Sequence, residues 1–466
     1  MNANALPEIP PLAPEPQIAP GQQIEAPNPE HVDLSEDGIA LAFAARYAHT
    51  ARYCHTTGAW FTRTETRWRR DDSLLAFAWA RDLCREANRA GLATLKKTAT
   101  AAAVERAARA DRRLAVTAEV WDRDPMLLGT PGGVVDLRTG ELRAARSQDY
   151  ITKEAAVAPG TSAEPQGWLR FLEEATRSDH SLIRFLQQIA GYSLTGDVRE
   201  HALVFVYGSG GNGKGVFVRT LKGILGDYAT VAPMETFTEA RGERHPTELA
   251  MLRGARLVVS EETEAGRCWN SARVKTLTGG DAVTARYMRQ DFFTFEPTWK
   301  LLLVGNHQPL LRHVDDALIR RFNVVPFTFK PAAPDLQLEE RLRAEWPDIL
   351  RWAVEGCLDW QRNGLIRPEA VKRATSVYLE SQDLVGSWLE ESCEQDPRHS
   401  ETIKRLFESF AAFADANGSH PGKAATLSDE LARRGFQRIK DSAGIRGRGF
   451  LGLRVIPTST WGTYGD

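Results

Sequence analysis

Three short, nearly continuous apolar runs constrain this chain more than anything else in it: "HALVFVYG" (201–208), "ARLVVSEE" (255–262) and "TWKLLLVGN" (298–306). A strand that meets water on one face alternates apolar with polar residues, so an unbroken apolar strand must be covered on both faces. Between the runs, apolar residues recur at three- and four-residue steps, the period of helices. Strands alternating with helices specify an α/β fold on a parallel sheet, here across residues 195–335.

In open sheets of this kind ligands gather beyond the carboxyl ends of the strands. All three runs end in residues with chemistry to offer. The first leads into "GSGGNGKGVF", where Gly208, Gly213 and Lys214 stand at the spacing of a phosphate-cradling loop, G-x-x-x-x-G-K-[ST], ahead of a helix-compatible stretch. Glycines admit positive φ and turn N–H groups toward phosphate oxygens, while the lysine neutralises the β- and γ-phosphates. The ATP-binding candidates are therefore Gly208, Ser209, Gly210, Gly211, Asn212, Gly213, Lys214, Gly215 and Val216. Gly215 stands where the pattern carries a Mg²⁺-binding hydroxyl. The second run ends in Glu261 and Glu262, acids suited to holding Mg²⁺ and activating water. The third ends in Asn306, whose amide can orient that water or sense the γ-phosphate; plain turn chemistry is the alternative.

Two further groups carry charge. "DDALIRRF" puts Arg320 and Arg321 at the end of a helix. There they either stabilise charge on a neighbouring subunit's γ-phosphate or decorate a solvated face on which Asp316 pairs with Arg320. "AVTARYMRQDFFTF" reads as a hairpin after a tight "GGD" turn, with Arg286, Tyr287 and Arg289 near its tip. Cations for phosphates and a ring for bases suit single-stranded DNA; guarding an exposed edge is the alternative.

Around the motor, residues 1–30 are proline-rich and read as a disordered arm. Residues 31–194 read as a mainly helical domain with small hairpins at "GAWFTRTETRWRRDD" and 127–145, "LSEDGIALAFAARYAHTARYC" and 72–115 being helical in this reading. A helical connection (336–380) leads to 381–466, whose end reads helix, turn and two strands. That tail is locally basic, with Arg433, Arg434, Arg438, Lys440, Arg446, Arg448 and Arg454, which suggests a winged-helix-like DNA binder or, alternatively, a packing module. The net charge of -2 excludes whole-surface nucleic-acid binding, so any DNA contact must come from such local patches. No apolar run approaches ~18 residues, so no membrane span is expected. The 5 cysteines are scattered with no C-x-x-C pair, which favours neither zinc nor disulfides and fits a reducing cytoplasm. Cys54 and His55 read as structural.

Taken together, "GGVVDLRTGELRAARSQDYITK", "FLQQIAGYSLTGD", "GSGGNGKGVF", "VVSEETEAG", "KTLTGGDAVTARYM", "LLLVGNHQP" and "DDALIRRFNVVPF" resemble the phage/plasmid primase-helicase family, whose motor belongs to superfamily 3 of the AAA+ P-loop helicases. The likeness runs over residues 40–460. It implies an ATP hydrolase and DNA helicase of the host bacterial cytoplasm, using ATP and Mg²⁺. Such an enzyme is a homohexameric ring that hydrolyses ATP between subunits and draws single-stranded DNA from a forked duplex through its channel, typically 3′→5′. Under the resemblance Lys214 is the loop lysine. Glu261 and Glu262 are the metal-binding and water-activating acids, with Glu262 the better match to the main one. Asn306 is the sensor, Arg320 or Arg321 the finger in trans, and Lys275, Arg286 and Arg289 belong to the DNA-gripping segment. Gly132 stands where family members often carry asparagine. Because no metal-binding acidic cluster or zinc spacing precedes the motor, priming is not expected of this chain, and a separate primase is the expected partner. The rival readings are an origin-binding or DNA-remodelling initiation ATPase without processive unwinding, a monomeric P-loop kinase, and a scaffold that has lost hydrolysis.

Overall fold

The structure is a computed structural model that describes residues 33–88, 91–239, 247–261, 268–288, 291–311, 315–333, 335–381, 384–416, 421–441 and 444–456. The chain divides into two compact units, Met1–Trp121 and Asp122–Asp466. The proline-rich arm at 1–30 lies outside the described residues.

The first unit comprises α1 (Glu36–Tyr47), β1 (Ala51–Cys54), β2 (Ala59–Arg63), β3 (Trp68–Arg70), α2 (Leu75–Ala87), α3 (Thr98–Ala108) and β4 (Ala115–Val116). Its strands form one sheet in the order β3-β2-β1-β4. Ser35 starts α1 by accepting the Gly38 N–H, with Glu36 and Asp37 favourably placed in the first turn. The structure corrects two helical expectations. "ARYC" is a strand, because Tyr53 and Cys54 pair with Trp60 and Ala59 and the Tyr53 ring packs on Trp60 at 5.2 Å. The alanine-rich stretch breaks into α2 and α3 around Gly91, whose φ of +71° no right-handed helix can continue through. Cys54 is buried, and the exposed His55 places a ring nitrogen 2.9 Å from the Arg109 carbonyl.

The second unit opens with a meander of β5 (Leu127–Thr130), β6 (Gly133–Asp136) and β7 (Glu141–Arg143), three strands where the sequence suggested a hairpin. Helices α4 (Gln166–Thr176) and α5 (His180–Leu194) follow. The chain then runs β8 (Leu203–Tyr207), α6 (Lys214–Leu225), β9 (Ala229–Val231), α7 (Thr247–Ala250), β10 (Leu257–Glu261), α8 (Ser271–Thr278), the hairpin β11 (Val283–Ala285) and β12 (Phe293–Phe295), β13 (Lys300–Gly305), α9 (Asp316–Arg321) and β14 (Phe322–Pro326). Next come α10 (Leu338–Ala344), α11 (Trp346–Asn363) and α12 (Glu369–Ser381). The remaining segment is α13 (Leu384–Ser392), β15 (Cys393–Thr402), α14 (Ile403–Ala416), α15 (Ala424–Arg433), β16 (Gln437–Lys440) and β17 (Arg448–Val455). It forms a β15-β17-β16 sheet with a core of its own around Trp388, Leu406, Phe410, Leu427 and Phe450.

The expected parallel sheet is present in the order β14-β8-β13-β10-β9, with every neighbouring pair parallel. Successive side chains of a strand point to opposite faces. Val204, Val206, Val259, Leu302, Val304 and Val325 enter one core with α4, α5, α6 and α11. Leu203, Phe205, Val258, Leu301, Leu303 and Val324 enter another with Trp269, Leu277, Leu318 and Tyr378. The fold is thus mixed α/β, with helices on both faces of a parallel sheet.

Two glycines set how closely α5 and α11 pack. A Cβ on Gly191 would lie 2.5 Å from the Ala353 carbonyl oxygen, and one on Gly356 would strike the Gln187 carbonyl. At the amino edge of the sheet, two buried cations tie down the chain that leaves α5. Arg256 donates to the carbonyls of Leu194 (2.5 Å) and Leu127 (2.7 Å); Lys300 reaches those of Thr195, Asp197 (3.3 Å) and Thr298 (3.2 Å). Burial, then the neighbouring Arg256, holds the Lys300 pKa well below the usual lysine value. No described helix is long and apolar enough to cross a membrane.

Gly191→Ala and Gly356→Ala should each cost about 1–3 kcal/mol, the usual penalty for overpacking a tight contact. Urea unfolding of the whole chain measures this, and unchanged midpoints would mean that α5 and α11 part without penalty.

Candidate active site

The register of the sheet decides which residues meet. Tyr207 lies beside Gly305 and Val304 beside Glu261, so β8, β13 and β10 end along one carboxyl edge. From that edge leave the glycine loop, Asn306 and Glu261. Gly210, Gly211 and Gly213 have φ of +94°, +68° and +85°, the left-handed region that a side chain resists. Lys214 begins α6 and turns its ammonium back over the loop, donating to the Gly208 carbonyl at 2.6 Å and to Asn306 Oδ1 at 3.0 Å. It is only 6% exposed, and burial lowers its pKa. An ammonium held by a carbonyl and an amide is desolvated without being neutralised, so an anion at the loop would gain its full charge.

Neighbouring segments clamp the loop. A Cβ on Gly213 would lie 2.6 Å from Cε2 of Phe171 in α4, and one on Gly208 would strike the Phe327 carbonyl. The Asn212 side chain donates to the Phe329 carbonyl at 2.9 Å, fastening the loop to the chain beyond β14. Ser209 is exposed and Val216 half-buried in the first turn of α6. Glu261 is exposed at the end of β10, whereas Glu262 lies outside the described residues. Among the described residues no three His, Cys, Asp or Glu side chains cluster as a metal cage. One exposed carboxylate beside a phosphate-type loop fits Mg²⁺, which keeps several waters and takes phosphate oxygens rather than a full protein shell.

Arg320 and Arg321 stand elsewhere. They precede β14, whose Phe322 lies beside Leu203 at the start of β8, so they occupy the amino edge. The five residues of β14, at about 3.3 Å each, separate them from the loop edge by roughly 16 Å. Arg321 donates to Thr278 Oγ1 (3.0 Å) and the Ala317 carbonyl (2.8 Å). Arg320 donates through Nε to the Asp316 carbonyl (3.1 Å), the backbone rather than the carboxylate of the residue weighed as its partner. Lys275 is engaged by Asp315, which also caps α9, so its ammonium braces the α8–α9 joint. The expected hairpin forms as β11 and β12. Arg286 lies over the Phe292 ring at 4.8 Å, Tyr287 stacks on Phe293 at 5.3 Å, and Arg289 lies outside the described residues.

In the tail, acids unnoticed in the sequence reading fold onto the arginines. Glu430 pairs with Arg433 and Arg434, Asp429 with Arg438, and Glu394 with Arg454. Lys440, Arg446 and Arg448 stay exposed around the β16–β17 turn. Sequence reasoning also missed two residues at the loop. Lys330 is exposed, and its Cε lies 3.3 Å from where a Gly211 Cβ would be. Arg219 folds over Gly215 and pairs with Glu339 of α10. The four-residue step from Gly215 to Arg219 could have been read as one helix face; nothing local marks Lys330.

Residues 40–177 match the family described as D5 N terminal like, and residues 206–321, which hold every candidate from Gly208 to Arg321, match a family of unknown function (DUF5906). The chain is 27% identical over 300 residues to "Putative helicase L207/L206" of Acanthamoeba polyphaga mimivirus, covering 58% of this chain and 31% of that protein. It is 28% identical over 275 residues to "Putative helicase 022R" of Frog virus 3, covering 54% and 27%. Against "Putative primase C962R" of African swine fever virus (isolate Tick/Malawi/Lil 20-1/1983) it is 24% identical over 373 residues, covering 72% and 38%. These matches fit a phage-type primase-helicase family. The chain spans less than two fifths of the length of these curated relatives. Its fold is shared with the apo structure of the NrS-1 C terminal region (305-718), at a TM-score of 0.51 and 10% identity over 90% of this chain and 99% of that one.

Gly213→Ala must force a side chain into a left-handed position and against Phe171, which should cost at least ~1 kcal/mol in urea unfolding. Adding Phe171→Ala to it should cost less than the two single changes combined. Strict additivity would mean that the ring does not clamp the loop.

Proposed function

We propose that this chain is the ATP-hydrolysing motor of a replicative DNA helicase, a superfamily 3 AAA+ P-loop ATPase. In this reading it works as a homohexameric ring on single-stranded DNA at a forked duplex. The observation that carries the proposal is the Lys214 ammonium, buried over a left-handed glycine loop and within 3.0 Å of Asn306 at the end of the adjacent strand. The family relatives named as helicases support the same reading.

In this mechanism the triphosphate lies along Gly208–Val216, and Lys214 exchanges the Gly208 carbonyl for phosphate oxygens. Glu261 and Glu262 hold Mg²⁺, which neutralises phosphate charge when bound. Glu262 takes the proton of the attacking water, and Asn306 orients that water beside the γ-phosphate. Arg320 and Arg321, an edge away from their own loop, serve the loop of the neighbouring chain. The hairpin bearing Arg286, Tyr287 and Arg289 grips the DNA, with translocation 3′→5′.

The domain reading keeps an arm at 1–30, an amino-terminal helicase-associated domain at 31–194, the motor at 195–335, a connection at 336–380 and a DNA-binding module at 381–466. The order helix, strand, helix, helix, strand, strand over α13 to β17 supports a winged helix in that module. Its acid-paired α15 leaves the exposed Lys440, Arg446 and Arg448 as the cations open to duplex phosphates.

Single-stranded DNA should stimulate ATP turnover, and Lys214→Ala or Glu262→Gln should lower it by 10²-fold or more, on the order expected for losing a transition-state contact. Mixing Lys214→Ala chains with Arg320→Ala, Arg321→Ala double-variant chains should restore part of the rate, since some interfaces then pair an intact loop with intact arginines. No recovery in the mixture would place the arginines outside the shared site. ATP-driven separation of a forked duplex tests the helicase itself; turnover without strand separation would favour an origin-remodelling ATPase. Arg286→Ala should reduce DNA stimulation and spare basal turnover, and loss of both together would remove the hairpin from the DNA path.

A further inference from the structure

Resting on the nucleotide reading above, we infer that Arg219 is a phosphate-binding residue of this site, and that Gly215 is the residue that admits it. In a helix, long side chains lean toward the amino terminus, so the head of a side chain lies over the residue four positions earlier. Arg219 follows that course. A Cβ on Gly215 would lie 2.6 Å from Nη1 of Arg219, 2.9 Å from Nη2 and 3.0 Å from Cζ. A side chain at 215 and the observed Arg219 position therefore exclude each other. The space in which the G-K-[ST] pattern places a hydroxyl holds, in this chain, a planar cation with parallel donors.

Three features suit that cation to phosphate. It stands in the first turns of α6, a 12-residue helix that starts at Lys214, where unpaired backbone N–H groups and the helix dipole already favour an anion. Its charge is reinforced, first by the hydrogen bond to Glu339 and least by Glu261 at the end of β10, which together raise its pKa. Its Nη1, the nitrogen nearest Gly215, makes no hydrogen bond among the described residues, while Nε lies 3.1 Å from both carboxylate oxygens of Glu339 and Nη2 completes the pair.

The bland alternative is a surface ion pair between α6 and α10. Both side chains are about half exposed, at 51% and 47%, and such pairs contribute little to stability. That weakness is what allows exchange. A triphosphate offers more charge and the same bidentate match to a guanidinium, so it competes with Glu339 for Arg219. Glu339 then acts as a placeholder that keeps the guanidinium beside the loop until nucleotide arrives. The arrangement also accounts for glycine at 215: the place that a hydroxyl takes in other loops of this pattern is taken here by an arginine on the same helix face.

The test is equilibrium binding of a fluorescent ATP analogue to the full chain, in Mg²⁺ and separately in EDTA, with thermal unfolding of each variant as the check on folding. Arg219→Ala should weaken binding about tenfold under both conditions, the size of one charged hydrogen bond. Glu339→Gln, by releasing Arg219, should tighten it. Gly215→Ser should weaken it by displacing the guanidinium, and should add nothing once Arg219→Ala is present. Arg219→Ala and Glu339→Gln shifting affinity in the same direction, or neither shifting it beyond twofold, would overturn the inference and leave an ordinary ion pair. Lys214→Ala separates the two levels: if the wild type binds and Lys214→Ala does not, a null result at Arg219 refutes this inference alone. Absence of saturable binding to the wild type would refute the nucleotide reading and this inference together.

Discussion

Everything in the larger unit follows from one requirement, that both faces of a parallel sheet be kept from water. Val204 and Val206 look into one core while Leu203 and Phe205 look into the other, and the same division repeats along β10, β13 and β14. Covering both faces with helices makes each connection return to the same end of the sheet. All strands then finish on a common edge, where the glycine loop, Glu261 and Asn306 can meet. The candidate site is a by-product of how the sheet is dried.

The segments ahead of the sheet take part in this arrangement. Phe171 of α4 presses on Gly213, and the chain leaving α5 is fastened to the opposite edge by Arg256 and Lys300. Those two cations are satisfied by carbonyl dipoles, an expensive way to bury charge that is tolerated when every donor finds a partner. One helix thus clamps the loop from above while its successor anchors the sheet from below. The family match at 40–177 ends at Arg177, just past α4.

The sequence made the strongest features legible for physical reasons. Runs buried on both faces advertise themselves, and the rule that ligands gather at strand ends points to the carboxyl edge that Lys214, Glu261 and Asn306 share. β9 and β14 escaped notice because three and five residues carry little period, and because "FNVVP" contains Asn323. That side chain is tolerated in the core only because it donates to the Leu203 and Arg321 carbonyls, partners that local sequence does not reveal. The same blindness affected the tail, whose basic count ignored Glu394, Asp429 and Glu430. It affected "ARYC" too, where pairing with β2 overrode helical spacing. Lys330 reaches the loop through the course of the chain after β14, a tertiary fact with no signature of its own.

The placement of Arg320 and Arg321 across the sheet from Lys214 has a consequence for symmetry. If the arginines of one chain complete the loop of another, donor and acceptor occupy different faces of the molecule, and the contact is head-to-tail. Two chains joined that way leave one open loop and one idle pair of arginines, so association does not stop at a dimer. It continues until the rotation between neighbours closes a ring or, failing that, winds into a filament. On this view, whether the molecule becomes a closed machine or an open polymer is decided by the angle between successive subunits and by no residue of the nucleotide site.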